Sequence, residues 1–384
     1  MDIRTFTVDV PQAVLDDLRE RLARTRWPDE VEGAGWDYGA SLGYMRELVR
    51  YWQTGFDWRA QERAMNALPH FRAEVDGLGL HLIHARGRGP APLPLLIVHG
   101  WPSSFVEMLD LIPRLADPER HGGDPADAFD VIVPSVPGFG FSDRPGRGMT
   151  RSRVGALLAR LMDGLGYARY AVHGNDIGAV IGGWMAVDVP ERLIALHTLM
   201  PTFPSPVIGP EARPLTAAER AFEELQARWA RDEGGYNAIQ ETRPQTLAYG
   251  LHDSPAGLAA WIVEKWRAWT DPAGDVDRAI GRDRLLANVT LYWVTDTANA
   301  ANRSYYERAR EPRRVTERIA VPTGVALTTE PIQRPPRERA ERSYADIRRW
   351  VDLPRGGHFA AAEVPDALAD ELRAFFRPFR SARA

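Results

Sequence analysis

The stretch HGNDIGAVIGG, His173 to Gly183, puts an aspartate where the pattern G-x-S-x-G puts a serine. Gly174 and Gly178 flank Asp176, and the neighbouring sequence reads as strand, tight turn and helix. Such a turn lifts its central side chain above the sheet, at a helix amino terminus where free amides and the helix dipole favour negative charge. A serine there needs a base to become nucleophilic. An aspartate, with an ordinary pKa of about 3.9, is already ionised at neutral pH. It suits an electrophilic carbon that is strained or carries a good leaving group, and its attack gives an alkyl ester as a covalent intermediate. Taken alone, an Asp before a helix is more often a cap. Two other segments favour chemistry.

The first is HGWP, His99 to Pro102, directly after an apolar run. A backbone amide there can join the amide of Ile177, the residue after the nucleophile, in an oxyanion hole. The second is PRGGHFAAAE near the carboxyl terminus, where His358 follows a glycine pair after a strand-like run and precedes a helix. In folds of this kind the chain order is nucleophile, acid, histidine. His358 stands where that order puts the general base that activates water to cleave the ester. His121 and His252 lack such a context.

The elements that must position these groups are legible from periodicity. Helical patterns run through VPQAVLDDLRERLART, SLGYMRELVRYWQTGF and WRAQERAMNAL; HFRAEVDGLGLHLIHARG then reads as a hairpin turning at Asp76-Gly77. LPLLIV suits a strand buried on both faces of a parallel sheet. SFVEMLDLIPRLAD reads as a helix, DVIVPSVPG as a strand, SRVGALLARLMDGLGY as a helix, YAVHGND as a strand and GAVIGGWMAVDVPERL as a helix. This alternation argues for an α/β fold with a mostly parallel sheet. The order breaks near Pro201 at the proline-rich PTFPSPVIGPEARPL, and helical patterns follow to about Arg310. Strand signals return in IAVPTGVALTT and IRRWVDLPRGGHF, before a last helix in VPDALADELRAFFRPF. RPPRERAERS mixes Arg with Glu and reads as a solvated helix start, and Gly138–Ser142 as a loop on the site floor rather than a dinucleotide fingerprint.

At 384 residues, 44% hydrophobic and 26% charged, the chain reads as an ordinary globular protein with an α/β core and a helical insertion. A net charge of −4 without long charge blocks argues against nucleic acid as a partner. The absence of cysteine excludes disulfides, thiol nucleophiles and Cys-ligated metals. No run is apolar enough for a signal peptide, an anchor or a membrane span, so the expected location is cytoplasmic.

Taken together, these segments resemble the microsomal-type epoxide hydrolases of the α/β-hydrolase superfamily, and their soluble bacterial members in particular. LVRYWQTGFDWRAQERAMNALPHFRAEVDGLGLHLIHARG is similar to that family's amino-terminal region. HGWPSSFVEM, VPSVPGFGFSDRP and HGNDIGA match its core motifs, GYNAIQETRPQTLAYGLHDSPAGLAAWIVEKWRAWTD and NVTLYWVTDTANAANRSYYE its cap, and VPTGVAL and RGGHFAA its carboxyl-terminal part. The resemblance implies an α/β-hydrolase fold divided into an amino-terminal region (1–90), a first core segment (91–203), a helical cap (204–314) and a second core segment (315–384). It implies that Asp176 attacks an epoxide carbon while the cap tyrosines Tyr236 and Tyr305 hydrogen-bond the epoxide oxygen and give it a proton; Tyr306 is the neighbour that competes with Tyr305. Water activated by His358 then hydrolyses the ester, with the amides of Trp101 and Ile177 holding the oxyanion. The product is a vicinal diol, the partners are an epoxide and water, and neither cofactor nor metal is called for. A homodimer joined through the amino-terminal region is an option it leaves open. The cap tryptophans Trp261, Trp266, Trp269 and Trp293 are read mostly as cap core. Some similar proteins serve detoxification and others natural-product biosynthesis, including enediyne pathways.

The chain departs from the family pattern at one point. The usual position of the triad acid falls on Pro331, and Glu330 lies one residue earlier in VALTTEPIQRPPR. Along a strand such a shift would turn the side chain to the other face, whereas a loop absorbs it; Glu330 is the expected partner of His358. Two other readings share this logic. A haloalkane or haloacid dehalogenase would use the same Asp–His–acid set, but commonly with a Trp where this chain has Ile177. A non-catalytic binding protein would keep the pocket, against which the intact Asp176 and His358 argue.

Overall fold

The computed structural model describes residues 1–204, 213–271 and 274–380. Nine strands form one sheet: β1 (Ile3–Phe6), β2 (His70–Val75), β3 (Leu78–Ala85), β4 (Leu93–Val98), β5 (Phe129–Pro134), β6 (Tyr170–Gly174), β7 (Leu193–Thr198), β8 (Thr323–Leu327) and β9 (Ile347–Asp352). Their order is β1-β2-β3-β5-β4-β6-β7-β8-β9. The pairings β1–β2, β2–β3 and β3–β5 are antiparallel, and those from β5 onward are parallel. The β2–β3 hairpin turns at Asp76-Gly77, both with positive φ, the backbone that a two-residue turn between right-twisting strands requires.

Burial on both faces explains why β4 is apolar throughout. Leu96 and Val98 join the cluster that contains the helices Arg151–Gly164 and Ile177–Asp188. Leu93, Leu95 and Ile97 join the opposite cluster, with Leu111–Ala116 and Pro365–Phe376. The two-residue period of the strand thus feeds two helical layers. The cap rises between β7 and β8 as a run of helices from Ala217–Asp232 to Ala298–Arg308. The amino-terminal helices Gln12–Ala23 and Leu42–Thr54 brace it: Tyr44 and Tyr51 donate hydroxyl hydrogen bonds to Asp277 and Asp283, each at 2.7 Å.

Some elements differ from the sequence expectation. The helix after Asp176 ends at Asp188, because Pro190 cannot continue it, and Leu193–Thr198, all but its first residue beyond the expected helix and without an assignment in the sequence, forms β7. SFVEMLDLIPRLAD divides into a 3₁₀ turn at Phe105–Met108 and a short helix at Leu111–Ala116. β1 is a four-residue edge strand whose half-exposed pattern carries no clear signal. RPPRERAERS is not wholly solvated, since Arg342 forms an ion pair with buried Glu219. Most of the proline-rich PTFPSPVIGPEARPL lies outside the described residues. Among the described residues, no helix is long and apolar enough to cross a membrane.

Candidate active site

The turn after β6 holds Asp176 at φ 52° and ψ −123°, a conformation that costs about 1–3 kcal/mol for a residue with a side chain. Glycine neighbours allow it. A Cβ on Gly178 would lie 1.9 Å from the Val98 carbonyl oxygen, and one on Gly174 would lie 2.4 Å from the backbone of Gly178. The helix therefore starts hard against the end of β4. The Trp101 amide, just beyond β4, donates to Asp176 Oδ1 at 2.9 Å. Ile177 is the first residue of the following helix, where N–H groups have no carbonyl one turn earlier.

His358 sits in the loop after β9, fixed from three sides. Its amide donates to the Trp269 carbonyl at 2.8 Å, its carbonyl accepts from Asn175 Nδ2 at 2.6 Å, and its ring lies 4.8 Å from that of Trp269. The glycine before it is required by that approach: a Cβ on Gly357 would fall 2.3 Å from the Trp269 carbonyl oxygen. Nε2 faces Asp176 Oδ2 at 3.8 Å, too far for a hydrogen bond. Nδ1 lies 2.8 Å from Glu330 Oε2 and 2.7 Å from Gln333 Nε2.

Glu330 lies three residues past the end of β8 and precedes the 3₁₀ turn Pro331–Gln333. Strand alternation no longer governs it there, so the one-residue offset does not turn it away from His358. Burial by itself would lower the His358 pKa; the Glu330 carboxylate, with Asp176 and Glu107, outweighs burial and raises it to about 9. Glu107 is itself buried, which pushes its pKa up to about 7 although Ser103 Oγ donates to it at 2.5 Å.

Facing Asp176 from the cap are Tyr236 and Tyr305, both buried. The Tyr236 ring stacks on Trp101 at 4.9 Å and meets the Tyr305 ring edge-on at 6.0 Å. Burial, followed by the Asp176 charge, raises both phenol pKa values, so both are neutral donors at physiological pH. Tyr306 points elsewhere, with Arg310 over its ring.

Asp176, His358, Glu330, Tyr236 and Tyr305 share one cavity of about 620 Å³, and Tyr306 lines a separate one. The Gly138–Ser142 loop packs under the helix that carries Tyr305, with Gly138 against Ala300. Sequence reasoning missed Gln333, Glu107 and Arg151. Of the four cap tryptophans read mostly as cap core, Trp269 both packs in that core and lines the cavity. Only Gln333 left a signal, three residues after Glu330 on the same turn. The others meet the site through contacts distant in sequence.

This arrangement bears comparison with known proteins. Residues 3–108 match the family model described as epoxide hydrolase N terminus, and residues 94–240 match alpha/beta hydrolase fold. A protein of Stigmatella aurantiaca (strain DW4/3-1) with a provisional epoxide hydrolase name is 42% identical, across 99% of this chain and 86% of its own length. Epoxide hydrolase 1 of Sus scrofa is 32% identical, across 97% and 88%. The crystal structure of juvenile hormone epoxide hydrolase from the silkworm Bombyx mori superposes with a TM-score of 0.85 at 29% identity, covering all of this chain and 95% of that one.

Proposed function

Since the chain belongs to the epoxide hydrolase family of the α/β-hydrolase fold, we propose that it converts an epoxide to a vicinal diol through an ester on Asp176. Asp176 Oδ2 attacks one ring carbon, the carbon–oxygen bond breaks, and the oxygen takes a proton from Tyr236 or Tyr305. Oδ1 becomes the ester carbonyl oxygen, already held by the Trp101 amide at 2.9 Å, with the Ile177 amide as its second donor. Water attacks that carbonyl while His358 Nε2 takes its proton, and Glu330 steadies the imidazolium. As the ester collapses, His358 returns the proton to the departing diol oxygen. The resting imidazolium first gives its proton to the tyrosinate that ring opening leaves, and the proton left on the carboxyl group at the end restores that imidazolium.

The observation that carries this reading is the line Asp176 Oδ2, His358 Nε2, His358 Nδ1, Glu330 Oε2, with separations of 3.8 and 2.8 Å across the ring. The Asp176 charge supports the protonated His358 of the resting enzyme. Alkylation removes that charge, so ester formation itself pushes His358 toward the neutral base needed next. The test is intact-protein and peptide mass spectrometry of His358→Gln with a processed epoxide. An adduct of substrate mass on the Asp176 peptide is expected; its absence with every processed epoxide would overturn the ester route.

A further inference from the structure

Arg151 opens the helix Arg151–Gly164 and forms part of the catalytic cavity wall. It is 6% exposed, and its Nε has no hydrogen-bond partner. Among the described residues no carboxylate forms an ion pair with it, and its guanidinium rests over the Tyr305 ring at 5.5 Å. The other inner cation, Arg308, is paired with Glu241 and donates to Asn237. Arg313, also on the wall, is paired with Asp188. The cavity's own carboxylates are engaged: Glu330 faces His358, and Glu311 accepts from the Ser152 hydroxyl at 2.6 Å.

A guanidinium remains charged at any physiological pH. Left buried without a counter-ion it is costly, because desolvation is not repaid. Burial lowers the guanidinium pKa on balance, and among the described residues Asp176 is the one carboxylate whose charge offsets part of that burial. Esterification passes that charge to a tyrosinate, and once the tyrosine is reprotonated only a negative charge on the substrate would keep Arg151 offset. Arg151 also lines the adjacent cavity of about 630 Å³, whose wall adds three further cations, Arg147, Arg243 and Arg303, and one carboxylate, Glu307.

We propose that the epoxide taken by this enzyme carries a carboxylate, which docks on Arg151 while the ring lies between Asp176 and the two tyrosines. The planar fork of one unpaired guanidinium matches a carboxylate in charge and in bidentate geometry. This rests on the ring-opening roles proposed for Asp176, Tyr236 and Tyr305.

The test compares 3-phenylglycidate with 3-phenylglycidamide, which differ only in the charged group. The wild type is expected to favour the acid in kcat/KM by about tenfold or more, as a charge-assisted hydrogen bond implies. Arg151→Gln should collapse that ratio toward one, and Arg151→Lys should keep part of it. Equal or better turnover of the amide by the wild type overturns the proposal. So does an equal loss on both substrates in Arg151→Gln, which would put Arg151 in the service of Tyr305 instead. A second readout needs no turnover. Cinnamate should saturably quench the cavity tryptophans of Asp176→Asn, and the Arg151→Gln change should abolish this; no quenching, or quenching indifferent to Arg151, overturns the proposal. If Arg151→Gln does not fold, the wild-type ratio and Arg151→Lys still decide. Failure of the ester mechanism itself would appear separately, as diol formation without an Asp176 adduct in His358→Gln.

Discussion

His358 Nδ1 lies 2.8 Å from Glu330 Oε2 and 2.7 Å from the Gln333 side-chain amide, so two residues of one short turn converge on a single ring nitrogen. The carboxylate accepts the Nδ1 proton, which would fix the tautomer and stabilise the imidazolium, whereas the Gln333 NH2 group cannot donate to a protonated Nδ1 and is only a close neutral neighbour. Glu330→Gln should therefore slow ester hydrolysis by about 10²–10⁴-fold while leaving ester formation measurable. Gln333→Ala should cost no more than about tenfold, the scale of a lost neutral neighbour that makes no bond to the protonated Nδ1. Rapid-quench kinetics with detection of the ester separates the two steps. A larger effect at Gln333 than at Glu330 would remove Glu330 from the role of acid.

The charge balance around His358 gives a pH prediction. With its pKa raised to about 9, the imidazolium is the favoured form of the free enzyme at neutral pH. Burial acts against this, and Glu330, Asp176 and Glu107 outweigh it. Neutralising Asp176 deletes one of those supports, so the His358 pKa in Asp176→Asn should fall below that of the wild type. The hydrolysis of the ester, which needs the neutral ring, should accelerate with rising pH through an inflection below about 9. NMR titration of the His358 ring in both proteins checks the first claim, and single-turnover rates check the second. An unchanged pKa in Asp176→Asn would separate the two groups electrostatically.

The legibility of the site follows from where its constraints lie. Asp176 and His358 were readable because tight turns need small residues beside them, and those glycines are local in sequence. Glu330 was readable through resemblance, and its one-residue offset is absorbed because β8 ends at Leu327, before strand alternation could govern it. Trp269 and Arg151 were not readable as cavity residues, since only tertiary packing brings them near Asp176. In the fold, β7 was hidden by an apolar helix run that Pro190 ends, and β1 by its short, half-exposed pattern.

Adjacent tyrosines on the helix Ala298–Arg308 should behave differently. Tyr305 lies inside the cavity that holds Asp176, against Trp101 and Tyr236, whereas Tyr306 lies under Arg310 beside the other cavity. Tyr305→Phe should slow ring opening by about 10- to 100-fold, the loss of part of a proton donation that Tyr236 can still make. Tyr306→Phe should change it by no more than about twofold, as for a substitution outside the reacting groups. The rate of Asp176 ester formation is the measurement; a greater loss in Tyr306→Phe would exchange their roles.

Two glycines of the same helix make opposite predictions. A Cβ on Gly178 would lie 1.9 Å from a backbone oxygen of Val98, at the end of a central strand that cannot yield. Gly178→Ala should therefore cost about 1–3 kcal/mol or more through forced backbone movement, and should displace Asp176 from the Trp101 amide. At Gly182 the same atom would meet Leu196 Cδ1 at 3.1 Å and Val172 Cγ1 at 3.2 Å, both side-chain ends that can move a few tenths of an ångström. Helix propensity there favours Ala over Gly by about 1 kcal/mol, enough to offset that crowding. Thermal melting should show Gly182→Ala close to wild type and Gly178→Ala clearly below it, with diol formation lost only in the latter. Equal stability of the two variants would mean that the Asp176 turn is not held by its contact with β4.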